Sequence, residues 1–171
     1  MKSALLAFAL LALALLAFGT SAIASAPGPQ PKSNGLPTVF VLGDHEASYE
    51  TLVEGYQRSL LEACACGKEE AFSKWIGMLN ELDVYARKQN VDIRGVKLWL
   101  HVFFRPDGSV EHIAYHLRPN SRQLDDATLA PLLEGFAGQY TFPVTGEEGF
   151  AHYSTGAFPV FGELTTQADG Q

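Results

Sequence analysis

The chain has 171 residues, the length of a single domain, and carries 12 basic against 19 acidic side chains, a formal net charge of −7. No cluster of Lys or Arg occurs along it, which argues against nucleic acid and against anionic membrane surfaces as partners, since both need a basic patch. The acidity reads as a solubility device rather than as recognition of a cationic partner.

At the N-terminus Lys2 is followed by an apolar run from Ala4 to Phe18 and then by small residues. That order predicts a secretory signal peptide over 1–24, with Ala22, Ile23 and Ala24 meeting the small-x-small cleavage rule. The run is shorter than the roughly 20 residues needed to span a bilayer, so no membrane span is expected once the signal is removed. Without Lys2, 11 basic side chains face 19 acidic ones, a formal charge of −8. Residues 25–37, "SAPGPQPKSNGLP", read as a flexible leader. A single domain is expected over 38–162 and a disordered tail over 163–171.

"TVFVLG" predicts a short strand closed by Gly43. Tyr49, Leu52, Val53, Tyr56, Leu60 and Ala63 recur at helical spacing and predict a helix over Ser48 to Cys66, with Asp44 or Ser48 as its cap. A second helix is predicted over Lys68 to Lys88, with the stripe Phe72, Trp75, Ile76, Leu79, Leu82 and Ala86. Glu69 and Glu70 stand in its first turn and Arg87 and Lys88 in its last, as the helix dipole favours. The two should pack as an antiparallel pair.

The period then changes. "VKLWLHVFF" and "SVEHIAYHL" flank "RPDGS", in which Pro106 presets φ and Gly108 supplies a positive φ, so a β-hairpin is predicted. A third helix follows from about Asp126 to Tyr140, with Pro131 expected close to its start. "FAHYSTGAFPVF" should hold a closing strand, with Pro159 marking an edge or a bulge. The fold class expected is α+β: a small antiparallel sheet, made of the hairpin and a C-terminal strand, packed against an N-terminal helical hairpin and a third helix.

His101, His112 and His116 could be taken for a metal site. On a strand, however, His112 and His116 stand about 13 Å apart at roughly 3.3 Å per residue, too far for one ion. A three-residue turn would put His101 opposite Ile113, on the other face. Cys64 and Cys66 are weak metal candidates, with Met78 as a possible third soft ligand. As residues i and i+2 of a helix they diverge, so a bond between them would need the helix end to unwind. Two small buried thiols are the plainer expectation.

Asp44, His45 and Glu46 read as helix-start chemistry. Asp125 with Asp126, and Glu147 with Glu148, are adjacent carboxylates whose spacing places them across no substrate. Ser109, Ser121 and Ser154 lack a nucleophile-elbow context, and no phosphate loop or dinucleotide glycine pattern occurs. No catalytic residue, cofactor or metal is therefore assigned.

Aromatic residues crowd the β half, and the hairpin strands are apolar on both faces. Either both faces are covered or one is a binding surface. Trp99, Phe103 and Tyr115 are expected to line one face, and Phe158 to Phe161 an edge; these five aromatic positions (Trp99, Phe103, Tyr115, Phe158, Phe161) are the candidate binding surface.

From about Val96 to Phe161 the order is strand, DG turn, strand, Asp-initiated helix, aromatic-Pro, strand. Through "VFFRPDGSVEHIAYHL", the step from Asp125 and Asp126 into Leu129, Leu132 and Leu133, then Phe142-Pro143 and the final strand, this stretch resembles the C-terminal domain family of TonB. Asn90, Val91 and Asp92 stand where that family carries Tyr-Pro, and no long Pro-rich spanning linker is present. The resemblance therefore implies a β-α-β module that binds protein or peptide by a sheet edge, without energy transduction. The whole chain also resembles small exported bacterial proteins of uncharacterised families. The expected function is an exported, periplasmic or extracellular, noncatalytic module binding a protein or peptide of the cell envelope. The alternative is a metal-binding or thiol-redox accessory protein using Cys64 and Cys66.

Overall fold

A computed structural model describes residues 35–160. The expected signal peptide, most of the leader, the tail and Phe161 lie outside the described residues.

The α+β class expected from the sequence holds, but the sheet is mixed rather than purely antiparallel. Its four strands are β1 (Val39–Val41), β2 (Lys97–Phe104), β3 (Val110–Leu117) and β4 (Phe150–Ala157), in the order β1-β3-β2-β4. β1 runs parallel to β3, while β2 is antiparallel to both β3 and β4. The last leader residues join the fold: Leu36 is buried, and the Pro37 carbonyl contacts the His112 ring.

The segment expected as one helix is two: α1 (Glu46–Gly55) and α2 (Leu60–Cys64). Ser59 and Glu62 form a reciprocal capping box that starts a new helix, with Glu62 N–H bonded to the Ser59 hydroxyl and Ser59 N–H to the Glu62 carboxylate. The pattern of apolar residues runs across this break and conceals it. His45, not Asp44 or Ser48, is the cap residue of α1, and its side chain makes no capping bond.

The consequence is a division of labour between the sheet's two faces. α1 lies on one face, while α3 (Lys68–Lys88) and α4 (Asp126–Ala137) cover the other, so α1 and α3 do not form the expected long hairpin. α3 has the predicted bounds, and its buried stripe includes Trp75, Met78, Leu79 and Leu82; Phe72, expected within it, is exposed. α4 is capped by the Asp125 carboxylate, which accepts from Ala127 N–H at 3.0 Å. Pro131 is the sixth residue of α4, one turn deeper than expected. Tyr115 ties the sheet to α4 by donating from its hydroxyl to Asp126 at 2.9 Å.

The RPDGS turn closes as predicted. Gly108 N–H donates to the Arg105 carbonyl at 2.9 Å, and Arg105 N–H to the Ser109 carbonyl at 2.8 Å. Gly108 sits at φ +83, where a Cβ would stand 2.3 Å from the Phe142 carbonyl oxygen, so both conformation and space demand glycine. Among the described residues no helix is long and apolar enough to cross a membrane.

Candidate functional site

Alternation along β2 sends Leu98, Leu100, Val102 and Phe104 to the α3/α4 face and Trp99, His101 and Phe103 to the α1 face. What lies opposite them on β3 is decided by a β-bulge. Phe104 pairs with Val110, but Phe103 pairs with His112, leaving Glu111 as the extra residue. Glu111 is buried and held there by two groups: the Tyr56 hydroxyl donates to its carboxylate, and the Arg105 guanidinium lies 3.7 Å away. Burial, then the bond to Glu111, pushes the Tyr56 hydroxyl pKa well above its usual value.

This one extra residue overturns two expectations. His101 pairs with Ala114, not Ile113, so it shares a face with His112 and His116. Trp99 pairs with His116 rather than Tyr115, which sends Tyr115 to the opposite face.

Sharing a face does not assemble the histidines. His112 is buried beside Phe40, with Nδ1 2.9 Å from the Pro37 carbonyl. His116 is exposed at the other end, and His101 bonds Tyr49. Among the described residues, the three do not form a group with metal-ligand spacing. His45 and His112 each pack edge-on against Phe40.

α1 covers only half of its face. Tyr49, Leu52 and Tyr56 pack over Phe40, Phe103, Ala114 and Ala151. Beyond them the surface continues as Trp99, His101, Tyr153 and Thr155, all on the same side of the sheet. Trp99 and Tyr153 stack with ring centroids 5.9 Å apart and planes 6° apart. The Arg118 guanidinium lies 5.3 Å from the Trp99 ring centroid, within cation–π range. Tyr153 is 55% exposed. Burial, with a smaller contribution from His152, holds His101 down to a pKa of about 4. Its ring is therefore neutral near pH 7 and can accept at Nδ1 from the Tyr49 hydroxyl, 2.8 Å away.

The platform borders a sheet edge. At the start of β4, Ala151 N–H donates to the Arg58 carbonyl and so points away from β2. By the two-residue period, Tyr153, Thr155 and Ala157 point the same way. The Trp75 indole N–H reaches the Thr155 carbonyl at 3.4 Å. Among the described residues, the outward N–H groups of Tyr153, Thr155 and Ala157 have no backbone partner.

The five aromatics expected as a binding surface are thus dispersed. Trp99 is half-buried on the platform. Phe103 is fully buried beneath Tyr56, 5.2 Å between ring centroids. Tyr115 is buried on the α3/α4 side, as is Phe158, and Phe161 is outside the described residues. Tyr153 and His101 are the members that sequence reasoning missed; their alternation along the strands was visible, but its phase against the partner strand was not.

Cys64 and Cys66 are joined by a disulfide, contrary to the expectation of two free thiols. The helix end does unwind: α2 stops at Cys64, and Ala65 takes φ +49. Their sulfurs lie within 4.8 Å of a Glu70 carboxylate oxygen, but bonded sulfurs are not thiolate ligands. A separate groove of about 440 Å³ at the end of α3 is lined by Asp83, Arg87, Asp92 and Arg94. There Asp92 is paired with Arg94 and Arg122, which hold its carboxyl well below the usual range.

Comparison of the chain with known protein families, curated proteins and solved structures finds no match in any of the three.

Proposed function

We propose that this chain is an exported, noncatalytic module that binds an extended protein or peptide segment along the outer edge of β4. The observation that carries this reading is the outward-facing run Tyr153, Thr155 and Ala157 beside the stack of half-buried Trp99 on exposed Tyr153. A strand added there would bond main chain to main chain and lay alternate side chains onto the aromatic rings. Aromatic platforms of this kind supply contact area at low conformational cost. The resemblance of residues 96–161 to the TonB C-terminal domain points the same way. The signal-like N-terminus supports export to the periplasm or the extracellular space, where a bonded Cys64–Cys66 pair is at home.

The test is selection of extended peptides from a displayed random library on the chain lacking residues 1–24, followed by titration of the selected peptides. Tyr153→Ala removes the platform. Thr155→Pro removes an outward donor without touching the ladder to β2. Each should weaken binding at least tenfold while leaving the far-ultraviolet spectrum unchanged. Peptides that bind both variants as well as the parent protein would overturn the reading, as would a selection that enriches nothing.

A further inference from the structure

The geometry points to Cys64–Cys66 as an exchange-active disulfide that accepts two electrons from a protein or small-molecule dithiol. Four observations converge on it, all independent of the β4 edge.

The bridge spans a single intervening residue, so it barely constrains the unfolded chain; stabilisation by a disulfide grows with the loop that it closes. A staple at this position has little to hold, since α2 and α3 are already joined by a short turn. Second, Ala65 within the ring is held at φ +49, a conformation that alanine rarely adopts, and opening the ring lets it relax. Third, Cys66 immediately precedes Gly67, the cap of the 21-residue helix α3, whose amino end favours a thiolate there, against the Glu70 carboxylate that lies within 4.8 Å of the sulfurs and is itself paired with Lys74 at 3.3 Å. Fourth, both cysteines are partly exposed. Leu61 and Phe72, on the two helices that flank the bridge, are 39% and 58% exposed, apolar surface for a thiol-bearing chain.

In the exchange, a substrate thiolate attacks Sγ of Cys64. The Cys64–Cys66 bond breaks, a mixed disulfide forms at Cys64, and Cys66 leaves as the thiolate favoured by α3. The substrate's second thiolate then attacks its own sulfur in the mixed disulfide and releases Cys64. The substrate departs as a disulfide, two electrons poorer; the pair becomes a dithiol, and the protons of the substrate thiols end on Cys64 and Cys66 or in solvent.

The experiment equilibrates the folded chain lacking residues 1–24 with graded mixtures of reduced and oxidised glutathione, without denaturant. Acid quenching, alkylation and intact mass then count the thiols. The pair should interconvert reversibly while the chain stays folded, and Cys66→Ser should accumulate a single glutathione adduct on Cys64. Ala65→Gly, which removes the conformational penalty of the ring, should shift the equilibrium constant toward the disulfide by roughly fivefold. A bridge that reacts only after the chain is unfolded overturns the proposal, and so does an equilibrium constant unmoved by Ala65→Gly.

Discussion

Trp99 and Tyr153 lie diagonally across the β2–β4 pair, Trp99 facing Thr155 and Tyr153 facing His101, and their rings stack nearly parallel. Trp75, the second tryptophan, is 1% exposed beneath the opposite face. Collisional quenching by iodide should therefore reach one of the two indoles. Trp99→Phe should abolish most of the quenchable emission, and Tyr153→Ala should increase the access of iodide to Trp99. Equal quenching of both indoles would mean that the platform is not arranged this way. Because Tyr153 is half-exposed, Tyr153→Ala should cost no more than about 1 kcal/mol of stability.

Tyr56 donates to the carboxylate of Glu111 at the bulge, and both residues are buried. Tyr56→Phe leaves that carboxylate with the more distant Arg105 alone. The expected loss is about 1–3 kcal/mol, the penalty for an unsatisfied buried acceptor. Urea unfolding followed by circular dichroism measures it. A variant as stable as the parent would show that the bulge does not depend on this bond.

Gly108 should not tolerate a side chain. Gly108→Ala adds a left-handed backbone penalty and a Cβ within 2.3 Å of the Phe142 carbonyl oxygen. A loss of about 3 kcal/mol is expected, read as a lower urea midpoint. Asp107, one residue earlier, is exposed, but its carboxylate accepts from Ser109 N–H and the Ser109 hydroxyl. Asp107→Ala should cost less than Gly108→Ala, since it removes turn bonds without introducing a clash.

Stability should fall on acidification below neutrality. His101 has a pKa of about 4 in the folded chain against 6.5 as its ordinary value, so the unfolded chain binds the extra proton first. The contribution of His101 is complete above pH 6.5 and disappears as the pH falls through about 4. Allowing for screening at a partly exposed ring, it amounts to about 1–2 kcal/mol. Burial lowers His152 as well, and it acts in the same direction. With each protein's stability at pH 7 as its reference, the curves of the parent and His101→Asn, taken from urea unfolding at several pH values, should coincide near neutrality and separate below pH 6.5, the parent losing more stability down to about pH 4. Parallel curves would remove His101 as a source of the acid sensitivity.

Where local chemistry decides the conformation, the elements were legible. The hairpin turn follows from Pro106, Asp107 and Gly108, whose φ preferences suit one turn and few others. α3 follows from its apolar stripe and from charges matched to the helix dipole at both ends. The break between α1 and α2 was also written locally, in Ser59 and Glu62, but the stripe continuing through Tyr56 and Leu60 masked it. The candidate site was much less legible. Trp99 belongs to it by strand alternation, whereas the bulge turns Tyr115 to the other face and the pairing of β4 with β2 brings Tyr153 beside Trp99.

By itself the sequence determined the kind of domain this is: its charge, the hairpin, the long helix over Lys68–Lys88 and the α+β class, all set by interactions within a few residues. Only the tertiary structure decided the register of β3 and hence which aromatic groups meet. A bulge survives where its extra residue finds partners, and those of Glu111 are Tyr56, 55 positions earlier, and Arg105 across the turn. Since side chains alternate every residue along a strand, one accommodated residue exchanges the two faces of everything paired beyond it. The closure of Cys64 onto Cys66 likewise depends on where α2 stops, with Ala65 leaving the helix at a positive φ.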